Sequence, residues 1–294
     1  QGEISSDGGQ VIVMADTASD ILRNTINLEG VVHANAIEAE NGYITLSAGD
    51  QGTAEVRGQL LAKAEESGLG GKVEVTGGGV GLFDEGVIDV SGAAGGGEVL
   101  FGGDYQGKGE LDNAEFSFVS PDAVIRADAI DSGDGGRVIV WADNSTYFYG
   151  AMSARGSPNG GDGGFGEISG KKDLVYQGAV DLSAELGNPG QILFDPKNIT
   201  VTSGGSSAIA TNLFGESNSS SMSFDADLIT TILNAGTALI LQANNDITIS
   251  EAITANNASG DGGDLTLQAG RSIIINNNIT TDNGDLTLVA NETV

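Results

Sequence analysis

The sequence predicts an all-β fold, a three-sided parallel β-helix, and three observations predict it. A short block of two glycines followed by alternating aliphatic residues returns along the chain, as Gly8-Gly9-Gln10-Val11-Ile12-Val13, Gly70-Gly71-Lys72-Val73-Glu74-Val75 and Gly135-Gly136-Arg137-Val138-Ile139-Val140. One short strand that keeps returning marks a solenoid, in which each coil touches only its neighbours. Apolar and polar residues alternate over four to six positions almost everywhere, while helical spacing is nearly missing. The 47 glycines are about twice the ordinary share, and there are only 4 prolines. Many tight corners need glycine, and ladder positions exclude proline.

Weaker copies of the block lie at 42–46, 96–101, 189–194, 262–267 and 284–288. Their first apolar positions are Val11, Ile44, Val73, Val99, Val138, Ile192, Leu239, Leu265 and Leu286. The long step from Val138 to Ile192 reads as two coils, with a degenerate copy at Gly163-Gly164-Phe165-Gly166-Glu167-Ile168. A second strand follows each block after a polar turn: Ile21–Ile26, Ala54–Val56, Gly81–Phe83, Phe116–Val119, Thr146–Tyr149 and Asp173–Tyr176. A third comes next: Val31–Ala34, Leu60–Ala62, Val87–Ser91, Val124–Ala127, Met152–Ala154 and Val180–Ser183. Three strands and three turns fill a coil of roughly 21–30 residues. With strands about 4.8 Å apart, about ten coils give a rod of roughly 50 Å. Val, Ile and Leu point inward and stack on their like. Glycines in loops such as 132–136 and 259–263 are expected to supply positive φ.

The stretch from Thr202 to Ser223 is rich in Ser, Asn and Gly and lacks alternation, so it reads as a long polar insertion. Leu228, Ile229, Ile232 and Leu233 then fall at helical spacing, with Asp225 as N-cap and Gly236 as stop. This predicts one short amphipathic helix near 225–235, docked on the rod. The expected division is β-helix over 1–201, insertion plus helix over 202–236, and β-helix again over 237–294. Asn276-Asn277-Asn278 could form side-chain ladders between coils. Both ends read as cuts within a longer protein.

Forty-one acidic against 12 basic residues give a net charge of -29. Nucleic acid and anionic membrane surfaces are disfavoured as partners, since both need clustered Lys and Arg. There is no cysteine, so stability rests on stacked ladders. No run of 18 apolar residues exists, and no membrane insertion is expected.

Few residues suggest chemistry. His33 is the only histidine, which nearly excludes a catalytic triad or a histidine-based metal site. Asp89, Arg126 and Asp181 occupy similar third-strand slots; a polysaccharide-cleaving β-helix would need such groups clustered, and solvated outer-face charge explains them as well. Asp131, Asp134, Asp162, Asp261 and Asp264 sit among glycines, where calcium is conceivable and turn chemistry is the simpler reading. Trp141, Tyr147, Phe148 and Tyr149 form either a core stack or an exposed strip for sugar rings. Sequons at Asn144, Asn198, Asn218, Asn257, Asn278 and Asn291 are expected by chance in a chain this rich in Asn and Thr. No residue is assigned as catalytic, cofactor-binding or metal-binding.

The order of motifs from 130 to 290 resembles the filamentous-haemagglutinin-like exoproteins of bacterial two-partner secretion. The residues that carry it are Gly136–Ala142, Tyr149–Gly156, Gly160–Phe165, Val175–Gly178, Asp181–Ala184, Leu193–Thr200, the short helix, and Leu241–Thr248. The resemblance implies a secreted, right-handed β-helical rod exported through an outer-membrane transporter partner. It implies a structural shaft of an adhesin or biofilm-matrix fibre at the bacterial cell surface, meeting host-cell or matrix glycans or proteins, rather than an enzyme. That family's amino-terminal secretion domain is not recognisable in these motifs. A self-assembling filament subunit that associates end to end, and a polysaccharide-cleaving enzyme, are the alternatives.

Overall fold

In the computed structural model the described residues are 2–15, 24–35, 42–204, 222–258 and 260–291. The chain is a parallel β-helix. Every strand pairing among these residues is parallel. The first sheet has 10 strands and runs the length of the molecule. Its strands are Gln10–Met14, Tyr43–Ser47, Lys72–Thr76, Glu98–Phe101, Arg137–Ala142, Phe165–Gly170, Gln191–Phe194, Ala238–Ala243, Leu265–Ala269 and Leu286–Ala290. The apolar positions read from the sequence form one column of this sheet: Val11 lies opposite Ile44, Ile44 opposite Val73, and so on to Leu265 opposite Leu286. Between Val138 and Ile192 the column passes through Gly166, so the degenerate copy is indeed a coil of its own.

The second and third strands build two further sheets. The second runs Asn24–Leu28, Thr53–Val56, Gly79–Leu82, Phe116–Val119, Ser145–Phe148 and Asp173–Tyr176. The third runs Glu3–Ser5, Val31–His33, Gln59–Leu61, Val87–Asp89, Val124–Arg126, Ala151–Ser153 and Ala179–Asp181. These strands begin or end within three residues of the expected ones. Residues 21–23 of the expected strand Ile21–Ile26 lie outside the described residues. Alternate positions of the three sheets meet in one continuous core. Between residues 148 and 224 that core is aromatic: Tyr176 lies 5.9 Å from Phe148, 4.7 Å from Phe194 and 5.4 Å from Phe224, centroid to centroid.

The region past residue 195 departs from a plain stack. Thr202 closes a strand, Ile199–Thr202, and Ser223 lies in another, Met222–Asp225; residues 205–221 between them, Asn218 included, lie outside the described residues. Met222–Asp225 does not advance along the rod. It pairs with Ile199–Thr202 on the side away from Asp246–Ile249, next to Asp173–Tyr176. The chain therefore steps back one layer and adds a strand to the second face.

The helix α1, Ala226–Asn234, follows at once. Asp225 is its N-cap and accepts from Asp227 N at 3.0 Å, and Gly236 has a φ of 78°. The helix, expected to dock on the rod, is built into its core. Ile229, Ile232 and Leu233 belong to the continuous core. The third sheet stops at Ala179–Asp181 and the third face resumes at Ile253–Thr254, paired with Ile279–Thr280. A helix about 10 Å across has the thickness of two strand layers, so α1 fills that gap.

The double glycines work differently from the expectation of positive φ. Gly133 has a φ of 83°, but neither Gly135 nor Gly136 is in the left-handed region. Each pair is glycine because another coil's backbone touches it. A Cβ on Gly70, Gly96, Gly135 or Gly163 would sit 1.7–2.0 Å from the carbonyl oxygen of Val90, Ala127, Ala154 or Leu182. A Cβ on Gly71, Gly97, Gly136, Gly164 or Gly190 would sit 2.0–2.2 Å from the carbonyl oxygen of the glycine one coil before.

Candidate functional site

Two columns of glycine leave a corner without side chains, and that corner is the floor of a groove of about 890 Å³. One wall is the first residue of successive strands in the first sheet: Tyr43, Lys72, Glu98, Arg137, Phe165 and Gln191, each in register with the next. The other wall includes Leu69, Asp134, Asp162, Asn188 and Pro189.

The charged members of the first wall pair across strands. Lys72 Nζ lies 2.9 Å from Glu74 and 2.8 Å from Glu98. Arg137 lies 2.5 Å from Glu98 and 2.9 Å from Asp104. Tyr43 donates its hydroxyl to Glu74. Burial pushes the Glu98 carboxyl up, but the hydrogen bonds from Lys72 and Arg137 outweigh it and hold the group below the usual range. Opposite charges on facing strands stabilise a sheet by roughly 0.2–1 kcal/mol per pair.

Asp104 belongs to the longest described connection between two strands, residues 102–115. It straps over the outer face of the first sheet and carries a 3₁₀ turn, Tyr105–Gly107. Beneath it Leu100, Ile139 and Trp141 form an apolar cluster, with Leu111 and Phe165 against it. Tyr105 meets Phe165 edge-on at 5.8 Å. The strap also covers two acids. Glu167 is completely buried and accepts from Gln106 N at 3.2 and 3.1 Å. Asp195 is 9% exposed, and its Oδ1 has no hydrogen-bond partner among the described residues. Burial pushes Glu167 up to about 7 and Asp195 up to about 6.

A second hollow, of about 500 Å³, lies along the third sheet among Lys63, Asp89, Asp128, Arg155, Ser183 and Glu185. Asp89 pairs in register with Arg126, and Asp181 follows two strands on through Ser153, so all three sequence candidates share one outward column. Asp89 and Asp181 each accept from the backbone N–H two residues on, at 2.9 and 3.1 Å. Asp128, which the sequence did not single out, accepts from Arg155 N at 2.8 Å, the Arg155 guanidinium at 2.8 Å and Ser153 Oγ at 3.0 Å. These carboxylates brace turns and neighbouring coils.

The acidic loops act as corner braces. Asp134 Oδ1 accepts from Asp162 N at 2.7 Å, Asp162 Oδ1 from Asn188 N at 2.7 Å, and Asp264 Oδ1 from Asp285 N at 2.7 Å. Asp261 accepts from Asn283 at 3.0 Å, and Asp131 contributes its carbonyl oxygen to Asn159 at 2.8 Å. The five acids do not converge on one point; no group of three His, Cys, Asp or Glu suited to a metal occurs among the described residues. His33 lies 3.8 Å from Glu3. Asn277 accepts locally from Asn278 N at 2.9 Å.

The aromatics divide among three environments. Phe148 is in the core, Trp141 lies under the strap, and Tyr147 and Tyr149 join Phe83 and Phe118 in an outer cluster. All four residues singled out in the sequence are buried, which leaves no open ring face for a sugar. Gly81 has no side chain because Phe83 folds back over it: a Cβ there would sit 2.1 Å from the ring. Arg57 caps that ring at 4.5 Å. No described helix is long and apolar enough to cross a membrane.

No protein-family model matches the chain, and no curated protein matches it either. Among solved structures it is similar to the HMW1 secretion domain from Haemophilus influenzae, at 32% identity and a TM-score of 0.53. The match covers 63% of this chain and 47% of the other, so this chain spans less than half of that one. Both the repeated coil and a measurable share of the sequence thus make this chain similar to a secretion domain, a likeness to which the sequence motifs do not point.

Proposed function

We propose that this chain is a rigid β-helical shaft segment of a secreted bacterial exoprotein, of the filamentous-haemagglutinin-like kind, that supports adhesion or matrix cohesion and catalyses nothing. The observation that carries the reading is the uninterrupted 10-stranded sheet. Its ladder ties every coil to the next, reinforced by the glycine columns and, across three coils, by the ion pairs of Lys72, Glu98 and Arg137, and a stiff spacer needs such continuity. The similarity to the HMW1 secretion domain supports export through an outer-membrane transporter partner. The carboxylates on the third sheet are engaged in turns, which speaks against polysaccharide cleavage. Host or matrix glycans and proteins are the partners such a shaft would present itself to, by many weak contacts.

Electron microscopy of the purified protein tests the shaft. Uniform single rods roughly 50 Å long are expected; flexible or globular particles would refute it, and long filaments would move the reading to a self-assembling subunit.

A second reading is favoured by the same neighbour: this segment takes part in export itself. The chain placed in the periplasm beside a two-partner transporter would then occlude the pore or bind its periplasmic face. A cross-link to the transporter supports this role, and free diffusion past it leaves the shaft alone.

A further inference from the structure

We propose that the cradle beneath the 102–115 strap is a binding site for a hard divalent cation of the calcium class, held by the carboxylates of Glu167 and Asp195. The inference is independent of the shaft reading.

Both acids are placed by the first sheet. Glu167 and Ser169 point outward from one strand, and Asp195 follows the neighbouring strand Gln191–Phe194 in the column of Ser169. Ser169 Oγ accepts from Asp195 N at 3.1 Å and its hydroxyl also contacts Glu167, so it joins the two. Gln242 closes the far side and Gln106 the roof, linked to each other at 3.0 Å.

No described cation pairs directly with the cradle, although Arg137 acts on Glu167 and Lys108 on Asp195 from farther off. Arg137 is shared between Glu98 and Asp104, and the Lys108 ammonium is bonded to Gln106 Oε1 at 2.8 Å. Among the described residues neither cation forms an ion pair with Glu167 or Asp195. The fully buried Glu167, held by the Gln106 N–H and the Ser169 hydroxyl, and the orphaned Oδ1 of Asp195 are therefore two carboxyls out of water that no ion pair offsets. Such a pair either takes up protons or takes up a cation. The side-chain oxygens left for a cation are those of the two carboxylates beside the Ser169 hydroxyl, since both amide oxygens are already bonded; with no sulfur or imidazole, that donor set suits calcium rather than a transition metal. The upward shifts of both groups agree, since burial makes the cradle a poor holder of negative charge.

The molecule carries its own reporter. Trp141 is the only tryptophan, and the strap rests on it: a Cβ on Gly107 would sit 2.5 Å from the indole. Calcium chloride, and magnesium chloride in parallel, would be titrated into the metal-stripped protein near neutral pH, following Trp141 emission and the stoichiometry by calorimetry. One calcium per chain is expected, with an emission change that saturates together with binding. Asp195→Asn and Glu167→Gln should each weaken it at least about tenfold, whereas Asp134→Asn in a corner brace should not. Terbium is a second probe in the unaltered protein, where emission sensitised by Trp141 and quenched by added calcium is expected, whether or not the variants fold. Stoichiometric binding that survives both substitutions would overturn the site. So would an emission change on acidification with no response to calcium or terbium, which would mean that protons alone neutralise the pair.

Discussion

Single atoms decide much of this structure. At Gly136 an added Cβ would lie 2.1 Å from the carbonyl of Gly97 and 2.9 Å from the Cβ of Ala127. Both neighbours are fixed by the ladder, so Gly136→Ala must push two coils apart. A loss of at least about 1–3 kcal/mol is expected, as for other overpacked sites. Gly260, whose nearest neighbour stands at 3.9 Å, is the control, and Gly260→Ala should change little; urea unfolding midpoints compare the two. Glu167 sets a pH dependence. Its folded pKa of about 7 lies above the ordinary 4.5, mainly because of burial. Its neutral form therefore favours folding, fully below about pH 4.5, and that contribution fades as pH rises through about 7. In metal-free buffer, Glu167→Gln should flatten this decline and leave the variant more stable than the parent at pH 8, by up to roughly 3 kcal/mol. Thermal unfolding across pH would reveal a variant with an unchanged slope if this assignment is wrong.

At the scale of elements, the segment from Met222 to Asn234 is the unusual one. A strand returns against the direction of winding and a helix replaces a strand of the third face. The helix is held by its cap and by burial. Asp225→Ala removes the acceptor for Asp227 N and should cost about 1 kcal/mol. Leu233→Ala opens a cavity where the side chain is fully buried and should cost about 2–5 kcal/mol. Chemical denaturation measures both, and equal losses would mean that the helix is not seated in the core. Much of this was legible: Asp225 and the spacing of Leu228, Ile229, Ile232 and Leu233 gave away the helix, because capping and amphipathicity are local. That it plugs the core was not, since a buried stripe looks the same whether it covers a rod or completes one.

Across the whole molecule, stability is a sum over coil contacts. Stacked coils share one core and no disulfide ties distant parts. Opening the strap should therefore be a local event. Replacing residues 104–113 by a short Gly-Ser linker should expose Trp141, red-shift its emission and leave the far-ultraviolet β signal intact. Collapse of that signal would show instead that the strap is needed for the stack itself. The strap escaped the sequence reading because its members are far apart in the chain. Gln106 meets Gln242, and Tyr105 meets Phe165, only after several coils have wound.

The sequence by itself determined the repeat, the strands, the column from Val11 to Leu286 and the short helix, because alternation, glycine pairs and caps are properties of neighbouring residues. It also placed Asp89, Arg126 and Asp181 in equivalent slots. Tertiary structure alone decided why the glycines come in pairs, through backbone carbonyls that approach from adjacent turns of the solenoid. It alone assigned the corner acids to bracing, separated Trp141 from Tyr147 and Tyr149, and brought Glu167 and Asp195 together under one strap. Those outcomes depend on which coil lies above which and on what a connecting loop covers, and such proximities across turns of a solenoid leave no mark in the order of residues along the chain.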